Sequence, residues 1–125
     1  MATPRAHILV VEDDPDVREL IERQLDGAGY RITLAATGQS AVTSALADPP
    51  DVVIVDVQLP DIDGREVIQI LRADDRTRRA RILICSIVDP DDLGATARDA
   101  ELAKPYRREQ LSDLVGQLAA APKEA

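Results

Sequence analysis

Residues 51–56, Asp51-Val52-Val53-Ile54-Val55-Asp56, decide the fold. Four β-branched residues stand in a row between two carboxylates, and β-branched side chains favour strands. A strand with one wet face alternates apolar and polar residues. This run does not alternate, so both of its faces are covered, as in a parallel sheet flanked by helices. It stops on Asp56, which puts a carboxylate at the carboxyl end of a buried strand.

The flanking sequence repeats the same unit. Upstream, His7-Ile8-Leu9-Val10-Val11 reads as a strand that stops at Glu12-Asp13-Asp14-Pro15. Pro15 suits the first turn of a helix, and acids before and within that turn favour its positive dipole end. Val17, Leu20, Ile21 and Leu25 then recur at helical spacing until Gly27 and Gly29. Arg31 to Ala35 reads as a second strand, and Thr37-Gly38 opens a helix with Ala41, Val42, Ala45 and Leu46 on one face. Asp48-Pro49-Pro50 stops it. After Asp56, a loop over 57–63 leads to Gly64 and a helix carrying Val67, Ile70 and Leu71. Arg81 to Ser86 is a fourth strand, Pro90 to Arg98 a short helix, and Asp99 to Ala103 a fifth strand ending at Lys104-Pro105. Leu111, Leu114, Val115 and Leu118 mark a last helix. Five β-then-α units specify a doubly wound α/β fold: a five-stranded parallel sheet in the flavodoxin-like order 2-1-3-4-5, with helices on both faces.

Length and composition agree. The 125 residues suit one domain, with a core over about 6–118 and residues 119–125 as a frayed tail or the start of a linker. Aromatic residues make up 2%, with no Trp or Phe, so the core must be built from Val, Ile, Leu and Ala. The net charge of -8 repels the phosphate backbone of nucleic acid and an anionic membrane surface. Cys85 lies next to Ile82-Leu83-Ile84 and is expected to be a buried reduced thiol. No apolar run approaches the ~20 residues of a membrane span, and residues 1–7 lack the apolar core of a signal peptide. Both point to the cytoplasm.

In doubly wound sheets, ligands bind outside the carboxyl ends of the strands. Those ends carry Glu12-Asp13-Asp14, Asp56, Ser86 and Lys104. In the order 2-1-3-4-5 their strands are neighbours, so the polar groups converge on one edge. Clustered carboxylates repel unless a cation joins them. Oxygen donors without His or Cys select a hard ion, and Mg²⁺ is usually held by one or two carboxylates plus water and phosphate. A lysine ammonium and a serine hydroxyl suit phosphoryl oxygens. A carboxylate nucleophile can form an aspartyl phosphate.

Three segments together resemble the receiver domains of bacterial two-component response regulators. They are Ile8-Leu9-Val10-Val11-Glu12-Asp13-Asp14-Pro15, the stretch Val53-Ile54-Val55-Asp56-Val57-Gln58-Leu59-Pro60-Asp61-Ile62-Asp63-Gly64, and Lys104-Pro105-Tyr106. The resemblance covers roughly Ala6 to Leu118. It implies that Asp56 takes a phosphoryl group from a phosphohistidine on a sensor histidine kinase or a histidine phosphotransfer protein. It also implies a Mg²⁺ ion bound directly by Asp13 and Asp56, by Glu12 mostly through water, and by the backbone carbonyl of Gln58. Ser86 would bond a phosphoryl oxygen and report phosphorylation by moving, and Lys104 would contact the phosphate. A downstream protein target, unspecified, would read the change.

The sequence departs from the family pattern in two places. Ile87 follows Ser86 where the family usually has Ala or Gly, and its bulk is expected to narrow access to Asp56 and slow phosphorylation or dephosphorylation. The stretch from Ser86 to Lys104 is about one turn short, so the fourth helix is expected to be short or irregular. Glu101 stands at the family's aromatic switch position, three before the lysine, which implies a remodelled output face.

Two other functions compete. An aspartyl-phosphate phosphohydrolase resembling the haloacid-dehalogenase group would carry a second Asp two positions after the nucleophile, where this chain has Gln58, and a substrate-capping insertion. A degenerate receiver acting only as an interaction module would not need Glu12, Asp13, Asp56 and Lys104 together. One His and one Cys build neither a zinc site nor a histidine triad. His7 is expected to be structural or exposed, Gly64 to serve a turn, and Arg76, Arg78, Arg79 and Arg81 to form a solvated loop or contact an acidic partner.

Overall fold

The apolar run at 52–55 lies at the middle of the sheet. In the computed structural model, which describes residues 6–87 and 98–120, the elements follow in the order β1 (His7–Val11), α1 (Pro15–Leu25), β2 (Arg31–Ala35), α2 (Gly38–Ala47), β3 (Val52–Val55), α3 (Gly64–Ala73), β4 (Arg81–Ser86), β5 (Ala100–Ala103) and α4 (Arg108–Ala120). The sheet order is β2-β1-β3-β4-β5, as expected. Every pairing is parallel, and β3 sits between β1 and β4.

Both faces of the central strands are covered, which explains their continuous apolar sequence. Leu9, Val11, Val53, Val55, Ile82 and Ile84 point to one side, where Ala41 and Ala45 of α2 and Val67, Ile68 and Leu71 of α3 pack on them. Ile8, Val10, Val52, Ile54, Leu83 and Cys85 point to the other, under Ile21 and Leu25 of α1 and Leu111 and Val115 of α4. Odd and even residues along each strand thus feed two separate cores. Cys85 is buried in the second, and burial pushes its thiol up to about 11. It is a free, buried packing residue.

Side-chain oxygens start three of the helices. Asp14 caps α1, accepting from the Asp16 and Val17 amides. Thr37 caps α2 by accepting from the Ser40 amide at 3.0 Å. Asp63 caps α3 through the Arg65 amide at 2.8 Å. Gly27 and Gly29 adopt φ of 88° and 82°, the left-handed turn that carries the chain out of α1.

Four boundaries differ from the sequence reading. β3 runs from Val52 to Val55, one residue shorter at each end than the 51–56 read from the sequence, with the Asp51 and Asp56 amides still donating to the carbonyls of His7 and Val11. β5 begins at Ala100, because Asp99 is committed to capping contacts with Ile82 and Arg72. α4 runs on to Ala120, past the expected start of the tail, because Leu118 and Ala119 still pack on the core. The helix expected over 90–98 falls almost wholly outside the described residues.

His7 is buried, with its ring Nε2 2.7 Å from Thr33 Oγ1, so it serves structure. The basic cluster is largely paired within the chain: Arg76 forks onto Asp74, Arg78 meets Asp75 at 3.4 Å and Arg81 meets Asp99 at 3.5 Å. Among the described residues, no helix is long and apolar enough to cross a membrane.

Ile82 is fully buried between β3 and the α2–α3 layer. Ile82→Ala is expected to destabilise the fold by about 2–5 kcal/mol, measured by urea unfolding at constant m-value.

Candidate functional site

The parallel ladder continues one residue past the strands, and that extra bond positions the site. The Glu12 amide donates to the carbonyl of Ala35, the last residue of β2, at 3.0 Å. The Asp56 amide donates to Val11, the last of β1, at 3.1 Å, and the Lys104 amide to Ser86, the last of β4, at 2.9 Å. Each of the three residues is therefore pinned through its backbone to the end of a neighbouring strand. Their side chains meet above the sheet edge.

Lys104 Nζ donates to Glu12 Oε1 at 2.7 Å and to Asp56 Oδ2 at 3.0 Å. The other Asp56 oxygen, Oδ1, accepts from the Gln58 amide at 2.9 Å, while Glu12 Oε2 accepts from the Asp13 amide at 3.1 Å. The Lys104–Pro105 peptide that carries the lysine into the site is cis. Glu12 is 3% exposed and Asp56 9%, whereas Asp13 faces solvent.

Burial dominates the electrostatics. It pushes the Glu12 carboxyl up to about 7, aided by the nearby Asp56 charge and opposed by the Lys104 ammonium. Burial also pulls against the Lys104 ammonium, but its hydrogen bonds to Glu12 and Asp56 outweigh this and hold its pKa above the ordinary lysine value. The network is a cation shared between two carboxylates. Removing either kind of partner would leave a partly buried charge uncompensated.

Carboxylate oxygens of Glu12, Asp13 and Asp56 lie within 4.8 Å of one another. This all-oxygen donor set, opening to solvent at Asp13, fits a hard divalent cation that keeps part of its water shell. Gln58 lies beside it, with its amide already engaged by Asp56. Ser86 is 2% exposed at the end of β4, next to β3 in the sheet. The sequence-derived residues therefore do gather at one edge. Ile87 follows Ser86 and is 68% exposed, so it presents bulk to solvent at that edge. Glu101 is exposed on β5 and pairs with Arg98, so an ion pair occupies the position where the family has an aromatic switch.

Two contributors escaped sequence reading. Gly64, expected merely to turn the chain, is the first residue of α3, and a Cβ there would lie 2.3 Å from the Asp56 carbonyl oxygen and 2.8 Å from Val57 Cα. Its lack of a side chain lets α3 dock directly on the backbone of Asp56. Asp61, in the loop after Asp56, caps α2 from outside, accepting from the Gly38 and Gln39 amides at 2.8 Å each. These two backbone bonds draw its carboxyl below the ordinary range. Asp-x-Asp-Gly spacing signals a helix start, but neither long-range contact is visible from it.

Comparison with known proteins agrees with this geometry. The response regulator receiver domain family matches residues 8–116. The chain belongs to that family. It is 40% identical over 109 residues to the response regulator MprA of Mycolicibacterium vanbaalenii, covering 83% of this chain and 46% of that protein. It is 35% identical over 122 residues to the transcriptional regulatory protein PrrA of Mycobacterium tuberculosis, covering 96% of this chain and 50% of that one. The chain thus spans about half the length of the curated relatives it matches. Among solved structures, the receiver domain of the sensor histidine kinase PA1611 of Pseudomonas aeruginosa superposes with a TM-score of 0.85 at 31% identity, over 94% of this chain and all of that one. That structure holds a magnesium ion in its active-site cleft. The Vibrio cholerae chemotaxis response regulator CheY4 gives 0.85 at 26% identity, over 92% of this chain and 99% of that one. The protein is thus a receiver domain of two-component signalling, with the flavodoxin-like fold of its relatives.

Two predictions follow from the geometry. Gly64→Ala, favourable in an ordinary helix, is expected here to cost about 1–3 kcal/mol because Asp56 and Val57 must shift. Denaturant unfolding that shows the variant equally or more stable contradicts the close approach. Because the Glu12 carboxyl is held near pH 7, acidification fills it with a proton that a cation must displace. Mg²⁺ affinity by calorimetry is expected to fall about tenfold from pH 8 to pH 6 for one displaced proton. An unchanged affinity contradicts this.

Proposed function

We propose that Asp56 is the phosphoacceptor of this receiver domain, working with Mg²⁺ and switching the binding of a protein partner. The observation that carries the reading is the cluster of Glu12, Asp13 and Asp56 oxygens within 4.8 Å, with Lys104 bridging two of the three. Asp13 and Asp56 would hold the ion directly, Glu12 through water, and the Gln58 backbone carbonyl would add a ligand. When bound, the ion neutralises carboxylate and phosphoryl charge and aligns the phosphoryl group.

The residues of the chain supply the rest. An Asp56 carboxylate oxygen attacks the phosphorus of a phosphohistidine. The P–O bond to Asp56 forms as the P–N bond to the histidine breaks, and the departing imidazole takes up a proton. Lys104, released from its carboxylate contact, pairs with a phosphoryl oxygen, and Ser86 donates to another. Hydrolysis later returns Asp56 and inorganic phosphate. The domain thus acts only on its own aspartyl phosphate and turns over no external substrate.

The donor is a sensor histidine kinase or a histidine phosphotransfer protein. The receiver forms one unit over residues 1–125. Its net charge of -8 disfavours direct contact with nucleic acid or an anionic membrane. The site is suited to the cytoplasm, where phosphohistidine donors and Mg²⁺ are available. Intact acidic and lysine positions favour this reading over a phosphorylation-independent interaction module, and Gln58 two residues after Asp56 disfavours a phosphohydrolase.

Incubation with Mg²⁺ and a small phosphodonor is expected to add one base-labile phosphoryl mass to the intact protein, and none when the metal is chelated beforehand. Asp56→Ala is expected to take up none. Equal labelling of the variant, or none of the wild type in the presence of its cognate kinase, would overturn the assignment.

A further inference from the structure

Arg18 lies in the first turn of α1, where a cation is at the wrong end of the helix dipole. Its backbone amide closes that turn on the carbonyl of the cap, Asp14, at 2.9 Å. Among the described residues its side chain forms no ion pair, unlike Arg23 one turn and a half further on, which pairs with Glu19. Instead, Arg18 Nη1 donates to the carbonyl of Glu12 at 2.8 Å and, more weakly, to that of Asp13 at 3.4 Å. Side chains on a helix lean toward its N-terminus, so a long residue here reaches back over the loop that precedes its own helix.

The two carbonyls it binds belong to the two residues that bring carboxylates to Asp56. Both lie past Val11, the last paired residue of β1, and before the first turn of α1. This two-residue hinge has to hold a buried and an exposed carboxylate close to a third, against their repulsion. A guanidinium bound to the hinge carbonyls fixes its backbone and sets a permanent positive charge behind the cluster.

We infer that Arg18 is a positioning residue for the cation site, preorganising Glu12 and Asp13 through their backbone. The inference rests on the proposed Mg²⁺-dependent reading of that site. A bound cation itself holds the carboxylates together, so the contribution of Arg18 falls on acquiring the ion and not on the reaction once the site is filled.

The test compares wild type, Arg18→Met and Arg18→Lys by Mg²⁺ calorimetry and by the rate of phosphoryl uptake from a small phosphodonor across Mg²⁺ concentrations. Met keeps the packing of the stem but no donor, and Lys keeps the charge and one donor. Arg18→Met is expected to need about tenfold more Mg²⁺ for half-maximal rate, with the rate at saturating Mg²⁺ within twofold of wild type. Arg18→Lys is expected to fall between. Thermal melts without metal confirm folding, and if Arg18→Met does not fold, the comparison rests on Arg18→Lys, for which a threefold rise is expected. Unchanged Mg²⁺ dependence in folded variants overturns the inference, as does a loss confined to the saturated rate or to transfer from a kinase. Failure of the wild type itself to bind Mg²⁺ or take up phosphoryl would instead refute the function proposed above.

Discussion

The ammonium of Lys104, held between the carboxylates of Glu12 and Asp56, is the contact on which the site depends. It joins the ends of three strands that are far apart in sequence, with Glu12 and Lys104 separated by 92 positions. Two partly buried carboxylates this close would repel each other without a cation between them. The fold therefore carries its own counter-charge at this edge. Burial raises the Glu12 carboxyl to about 7 even with that help, so protonation competes with lysine pairing at this carboxylate.

The sheet makes this possible because its central strands are apolar between their ends. Two cores built mainly of Val, Ile, Leu and Ala hold β1, β3 and β4 from both sides, and the runs 8–11, 52–55 and 82–85 carry no charged residue. At their carboxyl ends the ladder runs one residue further, and that single added hydrogen bond aims each functional side chain. Gly64 and Asp61 secure the other flank: one lets α3 touch the backbone of Asp56, the other ties the loop after Asp56 to α2. Both acids in the loop after Asp56 are thus caps, Asp61 on α2 and Asp63 on α3, although nothing in their type distinguishes them from the acids of the cluster.

Much of this was legible in the sequence for a physical reason. β1, β2 and β4 have the bounds read from the sequence, because a charged residue marks one end of each: Glu12 follows β1, and Arg31 and Arg81 open β2 and β4. Asp56, Glu12, Asp13, Ser86 and Lys104 stood out because they are polar residues at the ends of apolar strands. What stayed hidden depends on contacts across the fold. Asp61 caps a helix that begins 23 residues before it. Gly64 matters because of a carbonyl eight residues upstream, and α4 outlasts its expected end because Leu118 and Ala119 find core to cover. Periodicity within one segment reports which face is apolar, not which neighbour it meets.

The central claim is that one edge-bound constellation, with Asp56 as its nucleophile, receives the phosphoryl group. A crystal structure of the protein with Mg²⁺ and beryllofluoride, a phosphoryl mimic, tests it most directly. The account predicts the mimic bonded to an Asp56 oxygen, the cation held by Asp13, Asp56 and the Gln58 carbonyl, and Lys104 turned from the carboxylates to a fluorine. A mimic bound to another carboxylate, or Lys104 still bridging Glu12 and Asp56 beside an unmodified site, would contradict it.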